Sequence, residues 1–250
     1  MAELDGKVLF ITGASSGIGS AAAKVAFREG ALLALNYHEH EGGIKELLEG
    51  RDGEARVLSV KGDVTRSDNV RAMVGSVIKK FGKIDVLINN AGGLPERRPF
   101  LQTDTEYWDK LLSINLRSAY IVTREILPGM VQRGGGVIIN ISSIAAVAGG
   151  GMGASAYATA KGGLATFSRA LAKEFGTKGI RAISVLPGLI DTPFHEKAGT
   201  KDLNEWAKRS VMLGRVGRAE EVGELISFLS SDRASYITGV SIQIDGGWAY

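Results

Sequence analysis

Apolar residues in this chain fall into short runs separated by longer stretches with helical spacing. The run VLFIT (8–12) precedes a helical pattern that continues to Glu29. ALLALN (31–36) precedes a short helix over 41–49, and ARVLSV (55–60) precedes a helix over 67–81. In that helix Val70, Met73, Val74, Val77 and Ile78 share one face. IDVLIN (84–89) leads to a long helix over 104–132, and GVIINIS (136–142) to one over 156–176. IRAISVL (180–186) is followed by a loop and by helices near 202–209 and 219–230; VSIQI (240–244) is the last strand. Strands alternating with amphipathic helices build βαβ units and a parallel sheet. Consecutive apolar positions in the early strands mean that helices cover both faces. The pattern therefore predicts an α/β, doubly wound sheet whose ligands bind beyond the carboxyl ends of the strands. No repeat of 20–50 residues and no linker interrupts it, so residues 1–250 are read as a single domain.

Composition narrows the class. Glycine contributes 34 of 250 residues, roughly twice its average share, with only 5 prolines and no fixed period. Collagen and Pro/Gly-rich disorder are excluded. The absence of cysteine removes disulfides, thiolate catalysis and Cys-ligated metals. Thirty bases against 27 acids give a net charge of +3, too mild and dispersed for a nucleic-acid or membrane surface. Two acids and a short apolar run at the N-terminus do not make a signal peptide, and no apolar stretch approaches a membrane span. A cytoplasmic protein without nucleic-acid or membrane partners is expected.

Two local patterns carry chemistry. Thr12-Gly13-Ala14-Ser15-Ser16-Gly17-Ile18-Gly19 joins the first strand to the first helix. Glycines allow a tight turn and close backbone approach to a pyrophosphate, and the helix N-terminus supplies N–H groups and a positive dipole end. No Walker GK[ST] follows. Tyr157 and Lys161, four residues apart on a helix, share one face. A nearby ammonium favours the phenolate, which suits the tyrosine to proton transfer. Ser143 ends the GVIINIS strand, where its hydroxyl can reach the same oxygen. A Ser143–His195 hydrolase lacks the GxSxG elbow. His38 and His40 lack the further ligands of a closed metal site, so no metal is expected.

Taken together, TGxxxGxG, Asn89-Asn90-Ala91-Gly92, Ser143, YxxxK and Pro187-Gly188 resemble the classical short-chain dehydrogenase/reductase family over essentially the whole chain. Within it the sequence is most similar to members of the 3-oxoacyl-carrier-protein reductase type. The resemblance implies a Rossmann-type domain with seven parallel strands. It implies an NAD(P)-dependent oxidoreductase acting on a small-molecule carbonyl or alcohol. By the same resemblance Gly13, Ser15, Ser16, Gly17, Ile18 and Gly19 hold the pyrophosphate, and Asp63 with Val64 meets the adenine. Asn89, Ala91 and Gly92 flank the adenosine ribose. Asn115 is the family's catalytic asparagine, Ser143 polarises the carbonyl and Tyr157 is the general acid/base. Lys161 binds the nicotinamide ribose and lowers the tyrosine pKa. Pro187, Gly188, Ile190 and Thr192 hold the carboxamide end.

The coenzyme's 2′ position is read at the end of the second strand, where Tyr37 and then His38 replace the acid that marks NAD. This favours NADP over NAD. Substrate specificity is expected from loops 93–103, 144–155 and 189–212. These carry Arg97 and Arg98, a Gly/Ala-rich stretch, and Phe194 with His195. Oxoacyl thioesters, sugars, polyols and steroid alcohols all remain open. Arg133 and Lys178 match helix-end bases that such reductases present to a carrier protein. Family members form homotetramers through the 104–132 and 156–176 helices and the C-terminal sheet edge. Ala158, Ala165, Ala170 and Ala172 would suit that packing. A non-catalytic dinucleotide-binding or regulatory protein on the same fold is the alternative.

Overall fold

Strand β1 (Val8–Ile11) buries all four of its side chains. Val8 and Phe10 enter one apolar cluster, Leu9 and Ile11 another on the opposite face. That alternation repeats, with polar interruptions, across β2 (Leu32–Tyr37), β3 (Val57–Lys61), β4 (Val86–Asn89), β5 (Gly136–Ile141) and β6 (Ile180–Pro187). In the last strand, β7 (Ser241–Ile244), Ile242 and Ile244 pack with the Leu9 cluster and Gln243 is exposed. The computed structural model describes residues 3–50, 52–197 and 202–248. In it the seven strands form one parallel sheet in the order β3-β2-β1-β4-β5-β6-β7. Register is fixed by apolar partners such as Phe10 opposite Ala34 and Ile11 opposite Ile88. The expected doubly wound parallel sheet is borne out.

Helix α1 (Gly17–Arg28) and helix α6 (Ala219–Ser230) cover one face through Ala22, Ala26, Val222 and Ile226. The other face is covered by α2 (Ser67–Phe81), α4 (Ser118–Gln132) and α5 (Ser155–Phe175). In α2, Val70, Met73, Val74 and Val77 are buried, while Ile78 lies on the margin and is 42% exposed. The helix expected over 104–132 is broken into two phases. Asp104 caps α3 (Thr105–Leu112) by accepting from the Tyr107 N–H at 2.7 Å. A wide π turn, Ser113–Arg117, then precedes α4. The Gly/Ala-rich loop folds part of itself into a short helix, Ala145–Ala148, and Pro193–Lys197 forms another. Residues 198–201 of the 189–212 loop lie outside the described residues.

A ladder of buried polar groups crosses the second face, with Asn89 Oδ1 left without a partner. Asn89 donates to the Thr123 hydroxyl at 3.0 Å and to Asn140 Oδ1 at 2.8 Å. Asn140 donates in turn to the Ser168 hydroxyl at 2.8 Å. These bonds tie β4 and β5 to α4 and α5 where no water reaches. Removing one partner strands the others in an apolar setting. Asn140→Ala should therefore lower the unfolding free energy by about 2–3 kcal/mol in a denaturant titration.

Candidate active site

From β1 the strand order runs outward one way to β2 and β3, from β4 the other way to β5 and β6, and a crevice opens at the carboxyl ends of these two strands. Two short turns border it, and side chains lock them together. The Thr12 hydroxyl accepts from the N–H groups of Asn90 and Ala91, each at 3.0 Å. The Asn90 amide donates to the carbonyls of Thr12 at 3.0 Å and Gly13 at 2.9 Å. On the other side, Asn36 Oδ1 accepts from the Gly13 N–H at 3.3 Å, and the Asn36 amide donates to the Gly62 carbonyl at 3.0 Å. Gly13 has a φ of +63°, and a Cβ there would stand 3.0 Å from the Ala91 Cα. Only glycine satisfies both conditions.

The cleft encloses about 990 Å³ and runs from this turn to the loops above β5 and β6. Gly13, Ser15, Ser16, Gly17, Ile18, His38, Asp63, Val64, Ala91, Gly92, Ser143, Tyr157, Lys161, Pro187, Gly188, Ile190 and Thr192 all line it. No side chain caps α1, and its first turn carries no acid, so its N–H groups and positive dipole end suit a diphosphate. Asp63 accepts from the Thr65 N–H at 2.8 Å and from the Thr65 hydroxyl at 2.7 Å. Burial raises its proton affinity, but these bonds, with His38 and Arg66, bring it below the usual carboxylate range.

Four expected residues stand behind the cleft wall. Gly19 is buried in α1 beneath the glycine turn. Tyr37 packs into the core on the face that holds Leu33 and Leu35, because side chains alternate along β2; Asn36 and His38 line the cleft instead. Asn89 points into the buried ladder described above, rather than toward a ribose. Asn115 is 1% exposed and acts through backbone. Its amide donates to the carbonyls of Gly93 at 2.9 Å and Leu111 at 3.0 Å, and its Oδ1 accepts from the Gly93 N–H at 2.9 Å. Gly92 must lack a side chain, since a Cβ would stand 2.6 Å from Asn115 Oδ1 and 3.4 Å from Lys161 Nζ.

Asn36, Trp206 and Trp248 are cleft residues that the sequence reading left out, and Asn90, named there within a motif, had no role assigned. Asn36 had a signal, as a polar residue inside the apolar run ALLALN. Trp248 is brought to the cleft from the chain's far end, edge-on to Trp206 with ring centroids 5.1 Å apart. Arg133 donates to the Ile84 carbonyl at 2.5 Å, and Lys178 closes a turn just before β6. Both lie at the amino ends of strands, away from the cleft. Ala158 and Ala165 are buried within the chain, leaving Ala170 exposed.

Tyr157 and Ser143 meet above β5. The phenol is 8% exposed, among Leu94, Ala145, Ala154 and Phe194. Burial pushes its pKa up to about 12; the nearby Ser143 hydroxyl and the charge of Arg97 pull the other way. Lys161 stands 5.7 Å from the centre of the ring. Its Nζ donates to the Ile141 carbonyl at 2.8 Å, and Ser142 anchors its backbone by donating to the Lys161 carbonyl at 2.7 Å. Burial brings the lysine down to about 8. The expected depression of the phenol by Lys161 is thus not what this geometry shows: burial dominates both groups.

A family model described as enoyl-(acyl carrier protein) reductase matches residues 13–249. The chain is 39% identical to a 3-oxoacyl-acyl-carrier-protein reductase of Thermotoga maritima, over 98% of both chains. It is 35% identical to an L-rhamnose 1-dehydrogenase (NAD(P)(+)) of a Sphingomonas species, over 99% of this chain and 98% of the relative. A solved short-chain dehydrogenase/reductase of Serratia marcescens superposes with a TM-score of 0.91 at 30% identity, over 99% of this chain and 100% of that one. The chain belongs to the short-chain dehydrogenase/reductase family. It is an oxidoreductase of a family that uses NAD(P) and acts on alcohol and carbonyl groups. Among the described residues no helix is long and apolar enough to cross a membrane.

The buried lysine gives a stability test. Between about pH 8 and 10.5 the unfolded chain holds a proton at Lys161 that the folded chain has released. Stability from this group therefore rises with pH across that window. Urea titrations at pH 7 and pH 10 should show the wild type gaining about 2–3 kcal/mol relative to Lys161→Met. Tyr157 titrates alike in both proteins and cancels from the difference.

Proposed function

We propose that this chain interconverts a carbonyl and a secondary alcohol, with Tyr157 handling the proton. The observation that carries the reading is the pairing of Tyr157 with Ser143 in the same cleft that the glycine turn borders. In reduction the phenol, protonated at neutral pH, donates to the carbonyl oxygen while Ser143 donates a second hydrogen bond to it. In oxidation Tyr157 takes the proton back. The nicotinamide coenzyme supplies or accepts the hydride when bound. Gly13, Ser15, Ser16, Gly17 and Ile18 would hold its diphosphate, and Asp63, Val64 and Ala91 its adenosine. Lys161 would donate to the nicotinamide ribose. Pro187, Gly188, Ile190 and Thr192 would receive the carboxamide end. Asn115 is a positioning residue here: it fixes Gly93, next in the chain to the Gly92 that lies against Lys161.

NADP is the coenzyme this reading favours, because no acid ends β2 and His38 faces the cleft beside Asp63. Glu39, which also lines the cleft, supports NAD as the second reading. The named relatives include an oxoacyl reductase and a sugar dehydrogenase, so the substrate class is drawn from such carbonyls and alcohols. We further read the chain as a single cytoplasmic domain that assembles as a homotetramer through α4, α5 and the β7 edge.

Tyr157→Phe should reduce turnover of ketones at least about 100-fold, while coenzyme titration of the same variant stays within a few-fold of wild type. Near-normal rates in that variant would remove Tyr157 from the mechanism. In those titrations NADP should bind more tightly than NAD; a tenfold preference for NAD would reverse the assignment. Sizing chromatography should give a mass near four chains, and elution as a monomer would refute the assembly.

A further inference from the structure

The substrate end of the cleft is walled by apolar side chains around Tyr157, yet two nitrogen-bearing groups that the proposed mechanism does not use enter it. One is Arg97. Its neighbour Arg98 is neutralised: it pairs with Glu96 and Asp104 and lies 4.1 Å over the Tyr107 ring. Arg97 has no carboxylate partner among the described residues. Its one bond is a long one, from Nη1 to the Met152 carbonyl at 3.4 Å. The other group is His195, whose buried Nδ1 has no hydrogen-bond partner. Its ring stands edge-on to Phe194 at 5.3 Å, and Phe194 lies 5.7 Å from the Tyr157 ring. Arg97 lies against Gly151 and Gly153, in the loop that leads to Ala154 and Tyr157, and it lines the same cleft as His195, so the three converge on one region.

A half-buried guanidinium without a counter-charge and an unpaired buried nitrogen both cost free energy. One ligand group can relieve both. A planar guanidinium fork matches a carboxylate in bidentate fashion, and an imidazole adds one further N–H. A single cation beside a neutral donor suits a monoanion; with the exposed Asp191 also felt at His195, a phosphate dianion would call for more positive charge than the region holds.

We propose that the substrate is an oxo acid, reduced to a hydroxy acid, whose carboxylate is held by Arg97 and His195 while its carbonyl meets Tyr157 and Ser143. This rests on the oxidoreductase reading above and names its substrate class.

The test compares linear oxo acids, 4-oxopentanoate among them, with their methyl esters under wild type, Arg97→Gln and Arg97→Lys. For at least one chain length the wild type should prefer the acid by about tenfold or more in kcat/KM, mostly through KM. Arg97→Gln should collapse that acid-to-ester ratio, and Arg97→Lys should retain part of it. His195→Phe should lower the ratio severalfold. Equal use of acids and esters by the wild type, or a ratio that survives in Arg97→Gln, overturns the proposal. Calorimetric titration with 4-oxopentanoate, coenzyme present, separates this from the underlying reading. If no ketone or acid is turned over, the oxidoreductase reading fails. Heat of binding seen with wild type and lost in Arg97→Gln then still supports the carboxylate site, and no binding to wild type overturns it.

Discussion

Backbone groups at the end of a parallel strand lose their ladder partners, and a cleft built there must satisfy them by other means. Thr12, Asn36 and Asn90 do this for the turn after β1. Each takes over hydrogen bonds that the sheet no longer supplies, and each ties that turn to a neighbour. The glycine turn is therefore a fixed shape held from both sides. Everything the cleft can bind depends on that shape, because its donors are main-chain N–H groups that cannot move independently.

A second constraint is electrostatic. Tyr157 and Lys161 are buried close together, and desolvation pushes each toward its neutral form. The phenol keeps its proton and the ammonium holds its own less firmly, with one carbonyl for support. A site of this kind favours donation over abstraction until something polar enters it. Its resting chemistry is thus set by the lack of water around it more than by attraction between the two side chains.

Much of this was legible in the chain itself. The alternation of apolar runs and helical stretches produced the sheet, because strands buried on both faces cannot avoid consecutive apolar residues. The glycine turn, Ser143 and the Tyr157–Lys161 pair could be read because the chemistry is local, within one turn or one helix face. What escaped reading depends on side-chain direction. Tyr37 and Asn89 stand next to cleft positions in sequence but face the other way, since β strands alternate their sides. Trp248 reaches the cleft from the far end of the chain, a juxtaposition only the fold creates. The balance between Tyr157 and Lys161 also escaped, because spacing reports proximity and says nothing of solvent.

The wide turn at Ser113–Arg117 has a consequence for how one rod serves two places. A regular helix repeats its facing every 3.6 residues, so a stripe chosen at one end dictates the stripe at the other. The turn inserts a phase shift. Before it, Tyr107 and Leu111 face the apolar wall around Tyr157; after it, Ile121, Val122 and Ile126 face the sheet. At the joint, the Asn115 amide closes onto the Leu111 carbonyl. The two halves can thus accept substitutions separately, like two gears joined by a slipped tooth. The substrate wall is free to diverge while the sheet beneath it keeps its packing.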